Sequence, residues 1–224
     1  MRTSQLAWAT SFRCIATRLP RIEIFERVSD PADLDDVLAV EARTNSRLTE
    51  LVGPLAQIPA GERVAGPGSA YVMASFVYRS QGRFGDGSYG VYYAARELAT
   101  AAAERAFRIA RRARRTSDPP QIFEDRVVTA VIRAAVAVAD SERNARQLLD
   151  PDDYSASWAF AKHVRAAHLQ GVRYASVRRA GGTCVAIYRP RCMKHPQTSG
   201  YVGYRWDGKR IADVYTLASL SNDY

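Results

Sequence analysis

Cysteine is scarce in this 224-residue chain, which holds only Cys14, Cys184 and Cys192. None forms a CxxC pair and an odd thiol is left over, which argues against a disulfide framework and for reduced thiols in a cytoplasmic protein. No apolar run reaches the roughly 18 residues of a membrane span. Arg13 and Arg18 interrupt the region where a secretory signal needs an unbroken apolar segment. A soluble intracellular protein is expected. Histidine is equally sparse: His163 and His168 lie five positions apart on one predicted helix and His195 stands alone, poor spacing for a metal, so none is expected. The GxxxxGKS/T, HExxH and GxSxG signatures are absent, as are internal repeats, heptads and low-complexity segments.

Lysine is confined to Lys162, Lys194 and Lys209, so the formal net charge of +9 is an arginine surplus. Guanidinium forks suit phosphate and carboxylate partners. Charge alone does not choose among small phosphates, acidic proteins and nucleic acid. With 47% hydrophobic and 25% charged residues, the composition is that of a folded globular chain long enough for its own core.

Residues 1–20 are expected to be a poorly ordered extension, with a single domain over 21–224. The segment 22–28, IEIFERV, alternates as a strand would, and 32–46 has the acidic first turn of a helix. Glycine and proline make 52–68 a long loop, open to reading as a lid or a plain connection. The apolar run 70–78 fits a buried strand or a short helix equally well.

A helix is expected from about Arg96 to Arg115. Its second half carries Arg105, Arg108, Arg111, Arg112, Arg114 and Arg115, either a solvated face or a contact surface for an acidic partner. Residues 126–138 contain a largely buried strand. The sequence Asp150-Pro151-Asp152-Asp153 starts a helix expected to reach Leu169 and stop at Gly171. Strands follow at 172–178 and 183–189, then a hairpin around Asp207-Gly208. The fold class is α+β: one domain, a mainly antiparallel sheet and flanking helices.

The stretch from Gly82 to Glu104, GRFGDGSYGVYYAARELATAAAE, is the most suggestive of a ligand site. Arg83 precedes a flexible Gly85-Asp86-Gly87 turn that could admit a phosphate close to the backbone. On the following strand Tyr92 and Tyr93 point to opposite faces, so one of them lines any given pocket. Glu104 sits among alanines. Read structurally, Arg83 is a turn residue, the tyrosines are core and Glu104 is exposed.

This stretch resembles the core of the RES-domain family: an arginine in a GRF or GRW turn, a strand with a tyrosine, and an AxxE helix. QGVRYASVR at 170–178 is similar to the family's later DGIxxPSVR-like segment, with Ala175 where the family usually has proline. Arg27 in IFERV resembles an arginine near the family's first strand. The resemblance covers roughly residues 20–190. It implies a toxin of a bacterial toxin–antitoxin pair, neutralised by an Xre-type antitoxin, with a fold similar to ADP-ribosyltransferases. It also implies consumption of NAD+ as substrate, by ADP-ribose transfer to a protein as in the ParT type, or by glycohydrolase or phosphorylase action.

Carried over by position, Glu104 and Arg83 are the catalytic residues, Glu104 as the carboxylate beside the ribose and Arg83, with Arg27 as a second candidate, binding the pyrophosphate. Tyr92, or Tyr93 one residue on, stacks on nicotinamide, and Ser176 donates to a ribose or phosphate oxygen. The competing reading from charge is a basic nucleic-acid-binding protein without catalysis.

Overall fold

The computed structural model describes residues 1–19, 23–28, 30–43 and 53–217. Its backbone is organised by one long strand, β3 (Gln121–Val138), whose Val127, Val128, Ile132, Val136 and Val138 are buried. Branched side chains of this kind favour a pleated, covered surface.

Along one edge β3 pairs antiparallel with β1 (Thr3–Ala16), from Thr3 opposite Ala137 to Ala16 opposite Asp125. Along the other it pairs antiparallel with β6 (Met193–Trp206), then parallel with β4 (Gly171–Ala175). The remaining strands are β2 (Tyr92–Ala95), β5 (Thr183–Ile187) and β7 (Ile211–Leu217), in the order β1-β2-β5-β4-β3-β6-β7. Since β1 touches both β2 and β3, the first five strands in that order close on themselves. The fold is α+β with a mostly antiparallel sheet, as the sequence implies.

The helices that pack on the sheet include α1 (Ile24–Arg27), α2 (Leu34–Glu41), α3 (Ser69–Val77), α4 (Leu98–Arg115), α5 (Ala145–Leu148) and α6 (Ser155–Ala166). The largest core cluster joins α1, α2 and α3 to one face of the sheet through Phe25, Leu34, Met73, Phe76, Ile132 and Val185. A second lies under α6 and around β4 and β5. The open choice at 70–78 resolves to the helix α3, packed so closely that most of its side chains are buried.

Several expectations change. Residues 1–20, expected to be poorly ordered, supply the 14-residue β1. Its inward side chains are Leu6 and Trp8, then Ser11, because a bulge between Trp8 and Ser11 shifts the inward register. The segment expected to be a strand at 22–28 is, over its described residues 23–28, not a strand but a helical turn. Ile24, Phe25 and Val28 are its buried residues, an i, i+1, i+4 spacing that a helical turn places on one side.

Over 32–46, a 3-10 turn at Pro31–Asp33 precedes α2, and 44–46 lie outside the described residues. The segment expected to be a long loop over 52–68 is partly helical among its described residues, at 53–56 and in a 3-10 turn at Ala60–Glu62, and is tied down. Buried Arg63 donates to the carbonyls of Leu55 and Ile58 and pairs with Asp35 at 2.6 Å.

The helix expected to stop at Gly171 ends at Ala166 instead. His168 takes the left-handed turn at φ 58°, with His168 N–H donating to Arg165 O and Leu169 N–H to Val164 O. Gly171 starts β4 instead, where a Cβ would stand 2.4 Å from Ala186 O. Among the described residues no helix is long and apolar enough to cross a membrane.

Candidate active site

The GRF turn is a cradle for a tyrosine. Gly82 and Gly85 bridge to each other, and the Phe84 N–H donates to Tyr93 Oη at 3.2 Å. A Cβ at Gly82 would lie 2.5 Å from that oxygen, so the turn can close on Tyr93 only with glycine there. Gly82→Ala is accordingly expected to displace the Tyr93 ring and to destabilise the fold by about 1–3 kcal/mol. Urea denaturation checks the stability, and tyrosine quenching by a soluble quencher checks the displacement.

Residues 85–90 also read GxGxxG, but they precede a strand instead of leading from a strand into a helix, and so lack the context of a dinucleotide fingerprint.

The position of Arg83 differs from that expected of a ligand contact. The residue is 5% exposed, and its Nη1 donates to the carbonyls of Leu148, at 3.3 Å, and Asp150. Its guanidinium lies 4.7 Å from the Tyr154 ring centre. These bonds tie the GRF turn to the segment joining α5 and α6. Arg27, on α1, pairs with Glu41 at 2.8 Å on the surface. Neither arginine lines the cavity described next.

That cavity, of about 200 Å³, lies between β1, β2, β4, β5 and α4. Glu104, Arg105 and Arg108 face it from α4, Arg13 and Cys14 from β1, and Tyr93 from β2. The alternation of β2 decides between the two tyrosines. Tyr92 is 0% exposed within the main core, and its Oη has no hydrogen-bond partner among the described residues.

Arg13 ties both tyrosines to the wall. Its Nη1 donates to Tyr93 O at 3.0 Å while its guanidinium lies 4.8 Å from the Tyr92 ring centre. Arg108 covers the Tyr93 ring at 5.2 Å. Burial lowers the Arg13 pKa, and the nearby Arg108 and Arg105 charges lower it further. Such crowding of like charges favours an anion between them.

Glu104 is the cavity's organised carboxylate. Ser176 Oγ, just beyond β4, donates to Glu104 Oε1 at 2.7 Å and accepts the backbone N–H groups of Arg178 and Arg179 at 3.2 and 3.1 Å. Its one proton is therefore committed to Glu104, and Ser176 orients the carboxylate instead of reaching outward to a ligand. Cys184 Sγ stands 4.0 Å from the same oxygen. Burial and the Glu104 charge push the Cys184 thiol up to about 12, and burial pushes Cys14 up to about 11, so both remain neutral and poorly nucleophilic at pH 7. Among the described residues no group of three His, Cys, Asp or Glu side chains is placed to hold a metal ion.

A profile of the RES domain matches residues 62–207. The chain belongs to the RES-domain family. The matched stretch contains Arg83, Tyr93, Glu104 and Ser176, whereas Arg13 and Cys14 lie before it. A solved chain in the M. tuberculosis MbcT–MbcA toxin–antitoxin complex aligns with this RES domain at TM-score 0.45 and 13% identity, covering 92% of this chain and 87% of that one. No curated protein matches the sequence.

Sequence reasoning missed Arg13 as a site residue, and named Arg105 and Arg108 only as parts of a basic run. One signal was available: 104, 105 and 108 share a helix face, so whatever Glu104 lines, they line too.

Proposed function

We propose that this RES-domain protein is a cytoplasmic toxin that breaks the nicotinamide–ribose bond of NAD+ and passes ADP-ribose to water, phosphate or a protein nucleophile. The observation that carries the reading is Glu104, held by Ser176 in a cavity walled by arginine and Tyr93.

In this reaction the bond from ribose C1′ to the nicotinamide nitrogen breaks, and its electron pair neutralises the departing ring. The acceptor oxygen then bonds to C1′ and loses its proton to solvent. The intervening state is oxocarbenium-like, and a carboxylate beside the ribose lowers its energy. Glu104 takes that role, with Ser176 fixing its direction. Tyr93 offers its ring to the cationic nicotinamide. Arg13 and Arg108 hold phosphate oxygens. Arg83 supports the turn that cradles Tyr93.

Family membership adds the expectation of an Xre-type antitoxin as partner. Base stacking by a nucleic acid is poorly served outside the cavity, since arginines lie over Phe107 and Phe123, the rings on and beside the basic half of α4. The test is incubation of purified protein with NAD+, with and without phosphate and cell extract. Nicotinamide release is the expected result, and the distribution of ADP-ribose among free, phosphorylated and protein-bound forms identifies the acceptor. No release under any of these conditions overturns the proposal.

A further inference from the structure

Asp125 takes no part in the chemistry above, yet it is a carboxylate with 1% of its side chain exposed, carried inward by β3. Both its oxygens are held by Arg105: Nε donates to Oδ2 at 2.5 Å and Nη2 to Oδ1 at 3.1 Å. A buried carboxylate is expensive to desolvate, and a two-point guanidinium contact is the arrangement that best offsets that cost. The contact uses the Nε and Nη2 side of the fork, leaving Nη1 outside the pair, and Arg105 lines the cavity.

The three cavity arginines are not equivalent. Arg13 has a carbonyl and an aromatic ring as neighbours, and Arg108 an aromatic ring. Arg105 has a carboxylate that fixes both the position and the plane of its guanidinium. Burial alone would lower the Arg105 pKa, but hydrogen bonding and charge from Asp125 raise it. Arg13, without such a partner, is lowered. With Glu104 and Asp125 counted against Arg13, Arg105 and Arg108, two negative charges meet three positive ones, a net +1. An anionic ligand group completes the balance.

We propose that Asp125 is a positioning residue that locks the Arg105 guanidinium into the cavity wall, one residue beyond Glu104, where it grips a phosphate oxygen of a diphosphate-bearing ligand. This rests on the reading of the cavity as the site of a dinucleotide. The pair also ties α4 to β3, and a purely structural tie makes different predictions.

The experiment uses the full chain as wild type, Asp125→Asn and Arg105→Lys, with ADP-ribose as the probe and calorimetry as the binding measurement. Arg105→Lys keeps the charge and the ion pair but loses the fork, so it tests the geometry even where Asp125→Asn folds poorly. Both variants are expected to bind ADP-ribose at least tenfold more weakly. In turnover, KM for NAD+ rises by a similar factor with kcat within about twofold.

A lowered melting temperature with an unchanged ADP-ribose Kd in Arg105→Lys overturns the proposal, as does a wild type that does not bind ADP-ribose. A wild type that binds ADP-ribose, loses that binding in both variants and yet releases no nicotinamide leaves Arg105 and Asp125 in their roles and overturns the proposed reaction instead.

Discussion

Replacing Glu104 with glutamine is expected to lower nicotinamide release by about a hundredfold or more, with KM for NAD+ little changed. Glutamine keeps the shape and can still accept the Ser176 hydroxyl proton, which in the native chain sits 2.7 Å from Oε1. What it removes is the negative charge that, in the proposed reaction, faces the developing oxocarbenium. Loss of one such electrostatic contact typically lowers kcat by about 10²–10³-fold. Because Glu104 is only half-buried and its neighbours stay in place, the melting temperature should hardly move. The measurement is single-turnover nicotinamide release at saturating NAD+, with a melting curve as the control for folding. A variant as fast as wild type would remove Glu104 from the reaction.

Arg83→Met is expected to do the opposite, damaging the fold more than ligand binding. The native guanidinium is 5% exposed and bonds the carbonyls of Leu148 and Asp150. Methionine fills part of the space but leaves the Asp150 carbonyl without this donor, while Leu148 O keeps the Ser157 hydroxyl at 2.7 Å. Losing a buried charged donor from two acceptors costs about 2–4 kcal/mol. For a chain of this size that corresponds to a melting temperature lower by roughly 5–15 °C. Below that temperature KM for NAD+ should stay within a few-fold of wild type. An unchanged melting temperature joined to a KM raised more than tenfold would return Arg83 to the ligand.

The two arginines show what the sequence could and could not convey. Arg83 sits in the most readable stretch of the chain, yet its partners are backbone carbonyls more than sixty residues away, and a carbonyl leaves no trace in residue identity. Arg13 sits where apolar alternation is broken by a bulge and by polar residues, so β1 reads as an unstructured start although it pairs with β3 over most of its length.

The α4 helix was legible because alanine and leucine favour helices strongly and its arginine-rich end suits the helix dipole. The short α1 was not, since Ile24, Phe25 and Val28 satisfy a helical turn while the segment around them also alternates. The choice between Tyr92 and Tyr93 depended on which face of β2 is covered by the main core, a property of the assembled sheet.

The ring of β1, β2, β5, β4 and β3 has a consequence for when activity can appear. Arg13 comes from the first strand of the chain, Glu104 from its middle, and Ser176, which holds Glu104, and Cys184 from its last third. The pairings that bring them together span most of the sequence, as between Thr3 and Ala137. Contacts this distant form late and slowly. A ribosome that has not yet released β5 carries a chain with no closed cavity, so any activity housed there appears only once synthesis is nearly complete.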